Sequence, residues 1–223
     1  MMKDGGILTG PEIRDAYRHG SIQIDPWDET RLNPASYDLT LGTKVAVYKN
    51  AVNLQWNTGP KPLSRLSDSN RRTISITRGE HLVPELEYAL NIRHQESTEE
   101  FEIDPNVGWI LKPGIGYLMH TAERVWSNKF VPVIDGKSSI GRLFVAVHIT
   151  AGYGDTGFNG QYTLEVTAVH PIIVYPGMRF CQIRFHTTVG KVLDYANCDS
   201  HYTGASAMGP VASQAYKQFL PKE

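Results

Sequence analysis

The side chains able to do chemistry crowd between Asp135 and Val166, which reads DGKSSIGRLFVAVHITAGYGDTGFNGQYTLEV. Glu165 stands in Tyr162-Thr163-Leu164-Glu165-Val166, where the alternation of a strand puts Thr163 and Glu165 on one face and Leu164 and Val166 on the other. Such a carboxylate can serve as a general acid/base, and the same pattern fits a charge on a solvated sheet face. Asp155 lies in AGYGDTGFNG, with four glycines in ten residues. Glycines there would let the backbone approach a ligand while the aspartate accepts a hydrogen bond from a sugar hydroxyl, although an ordinary turn aspartate fits the spacing as well. Gly136-Lys137-Ser138-Ser139-Ile140-Gly141-Arg142 offers hydroxyls, backbone N–H groups and two cations, a set suited to phosphate oxygens or a bound water. It lacks the spacing of a P-loop, and a capped helical turn explains it equally.

Two further histidine signals are weaker. His148 sits inside the apolar run Phe144 to Ile149, where a satisfied structural histidine is the expectation. His94-Gln95-Glu96 matches the first half of the signature of zinc-dependent deaminases, but no Pro-Cys-x-x-Cys follows, so no zinc is expected.

These residues need a scaffold, and its punctuation is mainly that of strands. Thr9 to Gly20 predicts one short N-terminal helix, with Thr9 as N-cap, Pro11 in the first turn, Glu12 closing a capping box and Gly20 past the end. A short alternating strand follows at Tyr37–Leu41. Residues 50–72 read as a surface excursion, being polar and without apolar period. Short strands are then expected at Thr73–Thr77, Tyr88–Ile92, Gly108–Leu111, Tyr117–His120, Phe130–Ile134, Leu143–Ile149, Gln161–Val169, Ile172–Tyr175 and Met178–His186, with Pro113-Gly114 and Pro176-Gly177 as turns. That succession predicts one mainly β domain of the sandwich or barrel kind. Its tail from Asn197 to Glu223 is glycine-rich, either disordered or a flap over a site.

Composition narrows the partner. With 223 residues, 41% of them hydrophobic, the chain has ample material for a core. A formal charge of −1 carries no electrostatic footprint for nucleic acid or an anionic membrane, so a small molecule is expected instead. No apolar run is long enough to span a bilayer, the start lacks the apolar stretch of a signal peptide, and Cys181 and Cys198 lack CxxC spacing; a cytoplasmic chain with reduced thiols is expected.

Taken together, several segments resemble the dCTP deaminase family, which shares the trimeric dUTPase fold. They are Leu8 to Ile13, Asn33 to Leu39 with Leu41-Gly42, Thr121 to Val125, Gly136 to Arg142, His148 to Ala151, Asp155 to Glu165, Pro176 to Met178, and Gly209 to Ser213, in that order. The resemblance implies a homotrimer of distorted jelly-roll subunits with sites shared between neighbours, and zinc-free hydrolysis of dCTP to dUTP and ammonia. By it, Glu165 is the general acid/base, Ser138 and the carbonyl of Ala151 hold the attacking water, and Arg142 orients Glu165 or stabilises charge. Asp155 reads the 3′-hydroxyl, Thr163 and Leu164 line the substrate, and Lys137 and Ser139 contact phosphate. Mg²⁺ bridges the triphosphate, Tyr195 and His201 belong to its grip, and the tail after Asn197 closes over it. One departure bears on the product. Plain deaminases of the family carry His-Arg after the Thr-Ala, whereas this chain has Gly152-Tyr153-Gly154, closer to dUTPases and to bifunctional enzymes that release dUMP and pyrophosphate. A dUTPase-like pyrophosphatase without deamination is the further alternative.

Overall fold

The computed structural model describes residues 5–49, 90–193, 195–198, 202 and 209–220. The expected excursion at 50–72, the strand at Thr73–Thr77 and His201 lie outside these residues. Helix α1 (Gly10–Arg18) forms where expected, with Pro11 in its first turn and Gly20 at φ 73° beyond its end. Thr9 is the N-cap, yet its side chain makes no capping bond, so the capping box does not form. Ile13 buries the apolar face completely.

Eleven strands follow among the described residues. The largest sheet runs β4 (Thr98–Glu102), β3 (Lys44–Tyr48), β6 (Tyr117–Ser127), β9 (Asn159–Ala168) and β8 (Val145–Ala146), with β1 (Ile22–Asp25) also paired to β6. A second sheet is ordered β2 (Tyr37–Thr40), β11 (Arg179–His186), β7 (Val131–Gly136), and β5 (Trp109–Leu111) pairs with β10 (Ile172–Val174). All of the pairings are antiparallel. The core collects alternate residues of both larger sheets, among them Tyr37, Leu39, Met119, Leu164, Val166, Phe180 and Phe185, each at most 1% exposed. That alternation is what a sheet with one face on the core requires.

Departures from the expected elements have local causes. The run Leu143–Ile149 is not one strand: Phe144 takes φ 57°, Leu143, Phe144 and Ile149 are exposed, and pairing is confined to Val145 and Ala146. Residues 90–92 likewise lie outside any strand. Strand β4 has the sequence TEEFE, which β propensity disfavours. It forms as the sheet edge, where Lys44 of β3 lies 2.7 Å from Glu100 and 3.9 Å from Glu102, and charge suits an exposed edge. The expected Pro-Gly turns hold, with Gly114 and Gly177 at φ 78° and 77°.

A bulge interrupts β6, and its register with β9 shifts between His120 and Arg124. There the Thr121 hydroxyl donates to the Glu123 carbonyl and accepts the N–H of Tyr162, while Gln161 Nε2 reaches the Ala122 carbonyl. Such a bulge re-aims side chains, and Glu123 is fully buried against β2, taking the N–H and hydroxyl of Thr40 and the guanidinium of Arg31.

Candidate active site

Strand β9 presents Gln161, Thr163, Glu165 and Thr167 to one face, and all four line a cavity of about 660 Å³. Leu164, Val166 and Ala168 fill the core on the other face. The alternation expected for Glu165 therefore resolves in favour of a cavity wall rather than an open sheet face. A volume of this size suits one small organic ligand. Glu165 Oε2 accepts the N–H of Ile149 at 3.3 Å, and Ile149, Ala151 and Asp155 line the same space. Leu164 was expected among the substrate contacts; the residue is 1% exposed, belongs to the core and does not line the cavity.

The glycine-rich loop reaches the cavity through sheet packing. Gly154 N–H bonds to the Pro132 carbonyl at 2.8 Å and Ile134 N–H to the Gly152 carbonyl at 2.6 Å, so residues 152–154 lie along β7. Tyr153 between them is exposed and lines the cavity. A Cβ on Gly152 would stand 2.4 Å from the Ile134 carbonyl oxygen, and one on Gly154 would stand 2.7 Å from the Tyr162 hydroxyl. These two glycines admit close packing on β7 and Tyr162, not close approach of a ligand. His148 packs beside Gly152 with its Nδ1 buried and without a hydrogen-bond partner among the described residues, so it is not the satisfied core histidine expected from its apolar run.

An aromatic wall is not evident from the sequence pattern. Phe158 sits 5.1 Å from the Tyr162 ring and edge-on to Tyr195 at 5.8 Å, and all three line the cavity. The Tyr162 hydroxyl is buried, which pushes its pKa far up. Aromatics framing a glycine-rich loop were the available signal. Tyr195 itself was expected in the grip on the triphosphate, and it lies at that wall.

The described part of the tail crosses the cavity. Gly209 N–H donates to Gln161 Oε1 at 2.8 Å, Val211 N–H to Thr163 Oγ1 at 3.0 Å and Ser213 N–H to the Tyr48 hydroxyl at 2.9 Å. Val211 and Ser213 join the lining. These residues of the tail are thus held against side chains of β9 and β3.

The remaining expected residues stand elsewhere. Ser138 opens a four-residue helix, α2 (Ser138–Gly141), capped by Lys137 and ended by Arg142. Ser138, Ser139 and Arg142 are exposed, and none of them lines the cavity. Lys137, expected at phosphate, instead places its Nζ 2.6 Å from Oδ1 of the buried Asp38. His94 and Glu96 serve a loop: the Glu96 carboxylate accepts the N–H of Asn91. Neither cysteine forms a disulfide; Cys181 is buried in β11 and Cys198 is exposed.

The family model described as dCTP deaminase-like matches residues 7–188. The chain belongs to this family. Among curated relatives, the dCTP deaminase, dUMP-forming, of Cytophaga hutchinsonii is 39% identical over 190 residues, covering 85% of this chain and 87% of its own. The protein of the same description from Leptospira biflexa is 36% identical over 217 residues, covering 97% and 99%. The solved 2′-deoxycytidine 5′-triphosphate deaminase from Agrobacterium tumefaciens aligns with 83% of this chain at a TM-score of 0.54 and 22% identity, a likeness of fold. This chain spans 49% of the length of that one. The mainly β, dUTPase-like fold expected from the resemblance is thereby found. Pieces that carry the resemblance need not touch a ligand: Thr121 to Val125 build the bulge that holds β2, β6 and β9 together.

No helix among the described residues is long and apolar enough to cross a membrane.

Proposed function

We propose that the protein converts dCTP, carried as its magnesium complex, to dUMP with release of ammonia and pyrophosphate. The observation that carries this reading is Glu165 on the wall of a ligand-sized cavity that Ala151, Phe158, Tyr162 and Tyr195 also line. The relatives named dUMP-forming, together with the Gly152-Tyr153-Gly154-Asp155 loop, favour dUMP over the dUTP product first expected from the resemblance.

In the first half-reaction Glu165 takes a proton from water as its oxygen bonds to C4 of cytosine, and passes that proton to N3. Glu165 then carries the proton of the new C4 hydroxyl to N4, the C4–N4 bond breaks, and ammonia leaves as the C4 carbonyl forms. The Ile149 N–H on Oε2 fixes the carboxylate. Phe158 and Tyr162 supply a flat apolar surface for the nucleoside, and Asp155 accepts the 3′-hydroxyl. In the second half-reaction water adds at the α-phosphorus and the bond to the bridging oxygen breaks, releasing pyrophosphate. General acid/base transfer of this kind supplies about 10²–10⁴ in rate, with positioning adding the rest.

Ser138, Ser139 and Arg142 complete the site from a second copy of the chain in a homotrimer. The exposed Leu143 and Phe144, 51% and 62% accessible, follow directly on that turn and provide apolar surface for the contact.

The test is incubation with dCTP and Mg²⁺, and in parallel with dUTP, with products separated by ion exchange. dUMP, ammonia and pyrophosphate from dCTP are expected. Accumulating dUTP would reduce the reading to a deaminase alone, turnover of dUTP alone would make it a pyrophosphatase, and inertness toward both would overturn it.

A further inference from the structure

Lys137 is the first residue after β7, and its carbonyl receives the N–H groups of Ile140 at 3.0 Å and Gly141 at 2.8 Å, which makes it the root of α2. Its side chain does not follow that turn into solvent. It crosses β11 to β2, where Nζ lies 2.6 Å from Asp38 Oδ1, with the Asp38 side chain 2% exposed and that of Lys137 20%. The same Asp38 oxygen accepts Asn33 Nδ2 at 2.7 Å, and the other lies 3.6 Å from Arg179. The preceding residue is held as well: the Gly136 carbonyl accepts Gln182 Nε2 at 2.9 Å, and the Gln182 side-chain oxygen accepts the Ser36 hydroxyl at 2.9 Å. Register explains the arrangement, because Gln182 in β11 has Asp38 on one side and Asp135 on the other. The turn that carries Ser138, Ser139 and Arg142 is therefore anchored at Lys137 by Asp38 of β2 and at the preceding Gly136 by Gln182 of β11.

We infer that Lys137 and Asp38 are positioning residues for the serine turn, and that Lys137 does not grip the phosphates of the substrate. A buried carboxylate holds the ammonium in a hydrogen-bonded pair, and drawing the lysine away would leave the desolvated Asp38 with the neutral amide of Asn33 and, for charge, the more distant Arg179. The anchored turn has its hydroxyls set before ligand arrives, so the phosphate charge falls to Arg142 and the backbone of the turn. This rests on the proposed deamination for its kinetic consequence, though not for the anchoring itself.

The experiment compares the full-length protein with Lys137→Met, Asp38→Asn and the double variant. Two readouts are taken: amide exchange at Ile140, Gly141 and Arg142, and kcat and KM on dCTP and dCDP. Anchoring predicts faster exchange at those three amides in both single variants while Leu164 in the core stays protected. It also predicts a fall in kcat of up to about 10²-fold from a displaced turn, with the double variant no worse than either single one. The preference for dCTP over dCDP should stay at its wild-type value. A lysine that grips phosphate would instead lower that preference in Lys137→Met alone and leave Asp38→Asn unaffected, and unchanged exchange at the turn would likewise overturn the inference. If either single variant loses protection at Leu164 as well, Lys137→Arg decides: an anchor that keeps its charge restores turn protection and kcat together, and failure of both ends the idea. Wild-type protein that leaves dCTP untouched refutes the proposed function, while the exchange data still judge the anchor.

Discussion

At the scale of single residues, Glu165 and His120 make opposite uses of the same sheet. Glu165 faces the cavity from β9, so Glu165→Gln, which keeps size and loses the titrating oxygen, should lower deamination by about 10²–10⁴-fold. Calorimetric titration should show dCTP still binding; ammonia release at the wild-type rate would refute the assignment. His120, 4% exposed in β6, is packed under Gly42, accepts the Lys44 N–H at 3.2 Å and bonds through Nδ1 to the Thr121 carbonyl. Burial holds its pKa below the ordinary 6.5, against the smaller opposing pull of the Thr121 carbonyl. The folded imidazole then resists a proton that the unfolded chain accepts, so its contribution to stability is complete above about pH 6.5 and shrinks as pH falls below it. The His120 ring resonances should titrate with a midpoint below the ordinary 6.5; a midpoint at or above 6.5 would contradict this. Period-two alternation made Glu165 and Thr163 legible in the sequence. Lys137 and Phe158 were not, because the partner of one lies 99 residues earlier in the chain and the wall built by the other needs Tyr195 from beyond β11.

Among elements, the bulge of β6 does the most with the fewest residues. It turns Glu123 inward, where Arg31 and the N–H and hydroxyl of Thr40 satisfy it. Removing one partner of a buried pair costs about 3–5 kcal/mol because the other charge stays behind. Arg31→Met should lower the urea midpoint accordingly, and adding Glu123→Gln should recover part of that loss; a double variant as weak as the sum of two single losses would show the groups to be uncoupled. The helix, the Pro-Gly turns and most core strands were legible as periods and turn residues. The bulge was not, since Thr-Ala-Glu-Arg-Val continues the strand pattern and only the register shift against β9 reveals it. Strand β4 was missed for the converse reason: its glutamates are tolerated because it is an edge that Lys44 neutralises.

For the molecule as a whole, the division of the expected site is the fact with most reach. Glu165 and Asp155 share a cavity that Ser138 and Arg142 do not line. If a second copy supplies those groups, inactive Glu165→Gln and inactive Arg142→Ala proteins, mixed and allowed to exchange subunits, should regain activity at a minority of hybrid sites; continued silence would place the whole site within one chain. The tail adds a different kind of control. Its grip uses its own backbone N–H groups, at Gly209, Val211 and Ser213, on side-chain oxygens of Gln161, Thr163 and Tyr48. Proline at Val211 removes one donor and should loosen the strap, seen as faster proteolytic clipping beyond residue 208, whereas alanine there should not. The information about how long the cavity stays shut is thus written on the strands and not on the strap itself: residence time can be retuned at Thr163 or Tyr48, while the tail keeps wide freedom in its side chains.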